Sequence, residues 1–369
     1  MVWFFKTGRF KFFLILLQIM NYKIIYIKQL IFILIIINTI NVFAGNKQRI
    51  GQAGANELLI NPWAKSSALG DANIANISGF EGVFINVAGT ARLNSMQLVF
   101  SNTNWLKGSD IHINSFGISK KISSKGVLSL SISALDWGEI TTTTVLQPNG
   151  DGSTFHPTYT NIGVSYAKEF SHKIYGGITV KIVNESIKNL RATGVAFDAG
   201  LQYITGDKEQ IQFGVVIKNI GPTLKINGDG MSVRASSNNG PVNTMQNRSA
   251  EFELPSLIKL GVSYNFELNS INNLTLMTAF TENSFSKDQI HTGLKYTFKK
   301  IFILRGGYIY EDGSNKLENR TTALTGFSAG FTFEIPFKKG GDKTFAIDYS
   351  YRDTNPFNGV HSVGIRISL

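Results

Sequence analysis

Val127-Leu128-Ser129-Leu130-Ser131-Ile132-Ser133-Ala134-Leu135 decides the fold. Leu128, Leu130, Ile132 and Ala134 share one face of an extended chain, and Ser129, Ser131 and Ser133 share the other. The same period of two recurs. In 173–183, Ile174, Ile178, Val180 and Ile182 oppose Tyr175, Thr179 and Lys181. In 257–266, Ile258, Leu260, Val262, Tyr264 and Phe266 oppose Lys259, Gly261, Ser263 and Asn265. In 324–335, Phe327, Ala329, Phe331, Phe333 and Ile335 oppose Gly326, Ser328, Gly330 and Thr332.

Working outward, the pattern predicts strands near 95–105, 110–121, 125–136, 156–169, 173–185, 190–204, 209–219, 256–267, 272–282, 287–298, 301–311, 323–336, 343–352 and 358–369. Most exceed the usual ~5–6 residues of soluble strands. They suit a tilted membrane strand, which needs about 9–11. Their even number suits a bacterial barrel closed by a single chain. Alternate connections are short (122–124, 170–172, 205–208, 268–271, 299–300 and 337–342), while the others include 137–155, 220–255 and 312–322. Short periplasmic turns and long external loops have this asymmetry. The expected fold is all-β: a transmembrane antiparallel β-barrel of about 14 strands over 95–369, in the cell outer membrane and surrounded by its lipid.

The composition agrees. The 369 residues are 43% hydrophobic, yet mean hydropathy is near zero, too polar for a bundle of membrane helices. With no cysteine, disulfides and thiolate metal sites are excluded. The net charge is +11, but five of the 36 basic residues (Lys6, Arg9, Lys11, Lys23 and Lys28) precede residue 45, where there is no acid. No dense basic run interleaved with aromatics remains, so no nucleic-acid partner is expected.

Residues 1–44 read as a cleaved signal peptide. Lys23 and Lys28 precede the apolar run 29–37, and Val42-Phe43-Ala44 supplies the cleavage site. Met20 by itself would open a 25-residue signal. Both apolar stretches, Phe12–Ile19 and Leu30–Ile37, are shorter than the roughly 20 residues a spanning helix needs. Residues 45–94 lose the alternation and are rich in small residues. Lying on the periplasmic side just before the first strand, they are expected to fold into the lumen as a hatch or plug.

The chain resembles the PorV/PorQ family of the Bacteroidetes, relatives of FadL-type barrels. The resemblance rests on Ser67-Ala68-Leu69-Gly70-Asp71-Ala72-Asn73-Ile74-Ala75 and on Asn86-Val87-Ala88-Gly89-Thr90-Ala91-Arg92-Leu93. The latter stands where the family has Asn-Pro-Ala-Gly-Leu, with Pro and Leu replaced. Gly150-Asp151-Gly152-Ser153-Thr154-Phe155-His156-Pro157, Asn219-Ile220-Gly221-Pro222 and Leu254-Pro255-Ser256-Leu257-Ile258-Lys259-Leu260-Gly261-Val262-Ser263-Tyr264 add to it, covering most of residues 55–265. The resemblance implies a 14-stranded barrel with a luminal N-terminal segment. It also implies a non-enzymatic docking or shuttle role in type IX protein secretion, with secretion components and secreted cargo as partners. The alternative is a FadL-like channel for hydrophobic or other small compounds.

No catalytic, cofactor or metal site is expected. His112, His156, His172, His291 and His361 show no metal-ligand spacing. Neighbours on one strand, His361 and Ser362 point to opposite faces, leaving only a cross-strand base–nucleophile pair open. Asn149-Gly150-Asp151-Gly152 and Asn227-Gly228-Asp229-Gly230 read as turns before they read as calcium loops. Lys181, Asp198, Lys259, Lys295, Arg305, Asp348 and Arg366 fall on polar faces and should pair inside the barrel. Trp105, Trp137, Tyr159, Tyr308 and Tyr310 near strand ends are expected in an interfacial girdle. Loops 137–155 and 220–255 are the expected partner contacts, the latter without regular structure and mobile around 236–240.

Overall fold

Ser129 and Leu130 show how the alternation becomes a wall. Ser129 points inward and its hydroxyl meets that of Ser119 at 2.6 Å, while Leu130 is exposed on the outside. The rule repeats round the molecule. Phe100, Val164, Phe197, Leu260, Leu276, Leu304, Phe333 and Ile365 all face outward and are exposed. Inward neighbours such as Ser101, Ser165, Thr275, Thr332 and Ser362 are buried. An exposed apolar ring around a polar interior suits a molecule surrounded by lipid, where a closed sheet leaves no unpaired backbone edge.

The computed structural model describes residues 47–369 apart from 237–239, 315, 321, 339–340, 342 and 355–356. The signal-peptide expectation for 1–44 and the centre of loop 220–255 lie outside the described residues. The strands are β1 Met96–Trp105, β2 Ile111–Lys121, β3 Gly126–Asp136, β4 Thr158–Ser171, β5 Ile174–Ile187, β6 Leu190–Thr205 and β7 Ile211–Ile220. After a long connection come β8 Leu257–Asn269, β9 Asn272–Asn283, β10 Gln289–Phe298, β11 Phe302–Glu311, β12 Gly326–Pro336, β13 Thr344–Arg352 and β14 Val360–Ser368. They form one closed barrel in sequence order. β1 closes it antiparallel on β14, from Gln97 opposite Ser368 to Asn104 opposite His361. The fourteen expected strands are all present, each bound lying within three residues of its expected place.

Register shifts occur at the short-turn ends of the β4–β5 and β8–β9 pairs, and a larger one lies between β6 and β7. Between β6 and β7 the pairing jumps from Phe197–Ile220 to Ala199–Ile217. Asn219 sits in the bulge with a φ of 59°, a left-handed backbone that Asn tolerates better than most residues. Its amide N–H donates to Asp198 Oδ1 at 2.8 Å, and its side chain donates to the Pro255 carbonyl at 2.9 Å. The Asn219-Ile220-Gly221 and Leu254-Pro255 motifs are therefore two halves of one clamp.

Loop 220–255 is not irregular, contrary to expectation. Leu224–Lys225 pairs with Glu251–Phe252, and Ser232–Ser236 pairs with Val242–Gln246 as a hairpin. The flanks of the loop are thus joined by backbone pairing at Leu224 and Phe252. Loop 137–155 carries a smaller pair, Ile140–Thr141 with Thr154–Phe155.

Candidate functional site

The lumen is occupied by residues 47–94, whose path differs from expectation. The segment does not begin at the short-turn end. The Gly54 amide donates to the Glu253 carbonyl at 3.0 Å and Arg49 pairs with Glu253 at 2.5 Å, both at the long-loop end. The chain then runs down the lumen to Asn94 and enters β1 at the short-turn end. Sequence order fixes only where this segment finishes; its start is set by packing.

Short helices dictate how it packs. Ala64–Ser67, Ala72–Ile74, Gly82–Ile85 and Val87–Arg92 are each six residues or fewer, too short to be stable alone. They hold because their small residues lie against the wall. Ser67 Oγ meets Ser350 Oγ at 2.7 Å, and Ser328 Oγ donates to the Ala68 carbonyl at 3.2 Å. Trp63 meets Phe80 edge-on, with ring centroids 4.7 Å apart, and the Phe80 ring lies where a Gly117 side chain would be. Asn86 is the main polar anchor. Its Nδ2 donates to the Ile74 and Leu201 carbonyls, both at 3.0 Å, while its Oδ1 accepts the Ala88 amide at 3.1 Å. A Cβ on Gly200 would collide with Asn86 Oδ1, so the close approach requires glycine there. The altered Asn86-Val87-Ala88-Gly89 motif is thus a structural latch.

Charged groups of the lumen pair largely as expected. Lys181 meets Asp198 at 2.6 Å and also donates to Asn219 Oδ1. Lys259 reaches Asp71 on the hatch at 3.4 Å. Arg366 lies between Glu334 at 3.1 Å and Asp348 at 3.4 Å. Lys295 and Arg305 depart from the expectation: among the described residues both are hydrogen-bonded only to neutral groups, Asn76 and Thr332. Lys218, which the sequence did not single out, is buried with its Nζ 3.5 Å from the Phe84 ring centroid. A lysine on the inward register of β7 was a usable signal, but its ring partner on the hatch was not.

Spaces remain beside the hatch at both ends. Toward the long loops, Leu58, Trp63, Val83, Phe84, Ile113, Leu135 and Tyr159 border a cavity of about 40 Å³, which ends against Lys181 and Asp198. Above it lies an apolar core of Leu58, Trp105, Leu135, Tyr159, Leu224, Leu254 and Val360. Toward the short turns, a cavity of about 630 Å³ is lined by Lys65, Arg92, Lys295, Arg305, Glu334 and Arg366, among others.

Several expected residues land elsewhere. Trp105 and Tyr159 are buried in the luminal core and take no part in a girdle. Trp137 packs against the same core. Tyr308 and Tyr310 do face outward. His361 Nδ1 meets the Tyr349 hydroxyl at 2.9 Å, whereas Ser362 accepts from Thr103, so the two do not form a base–nucleophile pair. His291 is buried between Thr281 and the Gly70 carbonyl, on the seam between wall and hatch. Asp151 accepts from the Ser153 hydroxyl and amide, which hold its carboxyl below the usual range, and Gly150 and Gly152 have positive φ: a turn.

No family model matches the sequence, and no curated protein matches it. Among solved structures the chain is similar to the CymD monoaromatic hydrocarbon channel, at 13% identity and a TM-score of 0.53, over 84% of this chain and 98% of that one. It is equally similar to the Pseudomonas putida toluene transporter TodX, at 13% identity and a TM-score of 0.53, over 83% and 96%. A Pseudomonas aeruginosa FadL homologue aligns over 84% and 97% at 10% identity, with a TM-score of 0.49. At such identities the likeness to the first two is one of fold. The apolar exterior, the closed wall and this fold locate the protein in the cell outer membrane.

Proposed function

We propose that this barrel is a non-enzymatic outer-membrane channel for small hydrophobic compounds, shut by its hatch. One observation carries the reading. The outer half of the lumen holds an apolar core of Leu58, Trp105, Leu135, Tyr159, Leu224, Leu254 and Val360, and beneath it a small cavity where Leu58, Trp63, Val83, Phe84, Ile113 and Leu135 face Ser131, Ser133, Asn161 and Thr179. That cavity has room for little more than water, so passage needs the hatch to shift. The two structural neighbours, a monoaromatic hydrocarbon channel and a toluene transporter, suggest the probe.

The absence of native cysteine makes the test clean. The Ser67 and Ser350 hydroxyls touch, so a Ser67→Cys/Ser350→Cys pair should bridge hatch and wall. Oxidised cells should take up little radiolabelled toluene, and a reductant should restore uptake. Uptake indifferent to the bridge would sink the proposal.

A second reading, docking or shuttling secreted proteins for type IX secretion as in the PorV/PorQ family, has its own support. Val145 and Leu146 in loop 137–155 are 99% and 92% exposed, a rare position for apolar side chains. A deletion strain separates the two readings: the channel reading expects toluene uptake to fall with cargo secretion unchanged, and the docking reading expects the reverse. Either role assumes export by a signal cleaved after Ala44. N-terminal sequencing of the membrane-extracted protein should begin at Gly45.

A further inference from the structure

Four cations line the inner cavity with only neutral acceptors. Lys65 Nζ donates to the Ser78 carbonyl at 3.3 Å, and Lys295 Nζ to Asn76 Oδ1 at 2.8 Å. Arg305 Nη1 donates to Thr332 Oγ1 at 2.6 Å, and Arg92 Nη1 to Gln212 Oε1 at 3.4 Å. Among the described residues none of the four forms an ion pair, in contrast to Lys181, Lys259 and Arg366. Arg305 is 7% exposed, yet a guanidinium offers five N–H donors and this one uses a single N–H.

The cations are also held in place. Asn76 accepts from Lys295 and donates to Gln212 at 2.9 Å, and Gln212 accepts from Arg92. This chain of amides spaces the two charges without neutralising either. Arg366 and Lys343 line the same cavity. The nearby anions include Glu81, Glu334 and Asp348, with Glu209 on the Arg92 side. Glu334 and Asp348 are committed to Arg366, and Glu81 accepts the Ser66 amide at 2.7 Å. Positive charge is left over, facing a space of about 630 Å³ bounded by Ser95, Met96, Ser368 and Leu369 at the short-turn mouth.

We propose that this cavity binds a small solute with two or more negative charges, borne on phosphate or carboxylate groups and taken from the short-turn side. Charges inside a membrane barrel are usually paired. Here the missing partner is an anion, and the guanidiniums of Arg92 and Arg305 suit the forked geometry of phosphate and carboxylate. The volume falls among those of small-molecule sites. The site does not depend on whether the barrel passes hydrophobic compounds, because the apolar core lies at the other end of the hatch.

The test is calorimetric titration of the purified full barrel, in detergent at low salt, with inorganic pyrophosphate and with citrate. We expect saturable binding of at least one anion that weakens as salt is raised. Pyrophosphate alone would narrow the class to phosphates, and citrate alone to carboxylates. Lys295→Gln/Arg305→Gln should weaken binding about tenfold or more. A control removing two charges from the outer loop, Lys225→Gln/Arg234→Gln, should leave binding unchanged. Heat-shifted gel mobility checks that each variant is folded. If the lumen double variant does not fold, Lys65→Gln, on the hatch, tests the same site. No saturable binding of either anion to the unaltered barrel, or an equal loss in the outer-loop control, would overturn the proposal.

Discussion

The two ends of this lumen are built on opposite principles. At the long-loop end, Leu58 from the hatch is enclosed by side chains from β1, β3, β4, β14 and the folded loop: Trp105, Leu135, Tyr159, Val360, Leu224 and Leu254. At the short-turn end, the hatch leaves a wet cavity edged by lysines and arginines. The hatch is thus fastened outside by apolar burial, latched midway by Asn86, and left with space beneath its inner end. A closing segment fixed more firmly at one end than the other is expected to move first where contacts are fewest.

The comparison can be broken at three places. The largest effect should come from Leu58→Ala, which opens a hole in a core where the side chain is 1% exposed. Such truncations cost about 2–5 kcal/mol. Urea unfolding followed by tryptophan fluorescence would measure it; a loss under about 1 kcal/mol would mean that the outer core does not hold the hatch. Asn86→Ala should come next, at about 1–3 kcal/mol, because it leaves the buried Ala88 amide without its acceptor and takes one donor from the Ile74 and Leu201 carbonyls. Protease sensitivity of 60–94 in the folded barrel should rise with it. The smallest effect should come from Arg49→Ala. Its pair with Glu253 is exposed at the rim and worth about 0–1 kcal/mol. If Arg49→Ala matched Leu58→Ala in the same assay, the rim and not the core would be the fastening.

Much of the wall was legible in the sequence, residue by residue. Leu128, Leu130 and Ile132 face out and Ser129, Ser131 and Ser133 face in because strand alternation is local, needing no distant partner. Inward Gly and Ser also signalled a packed interior, and Gly200 against Asn86 is that signal realised. Legibility fails where faces carry mixed chemistry. Along β1 the inward row is Gln97, Val99, Ser101, Thr103 and Trp105, while Asn102 and Asn104 point out. Polarity does not sort that strand, so Trp105 was assigned to a girdle although strict parity turns it inward.

The sequence alone determined the number of strands, their faces, the parity of their connections and the existence of a separate segment before them. Tertiary structure decided the rest. It threads residues 47–94 from the long-loop end, pairs Lys259 with Asp71, leaves Lys295 and Arg305 to neutral partners, and sets an apolar core at one end of the lumen against a cationic cavity at the other. The physical reason is range. Alternation is a contest between neighbouring side chains for lipid or interior, settled within a strand. Which charge meets which, and where a short helix finds its seat, is settled only when the barrel closes and residues hundreds of positions apart come within hydrogen-bond reach.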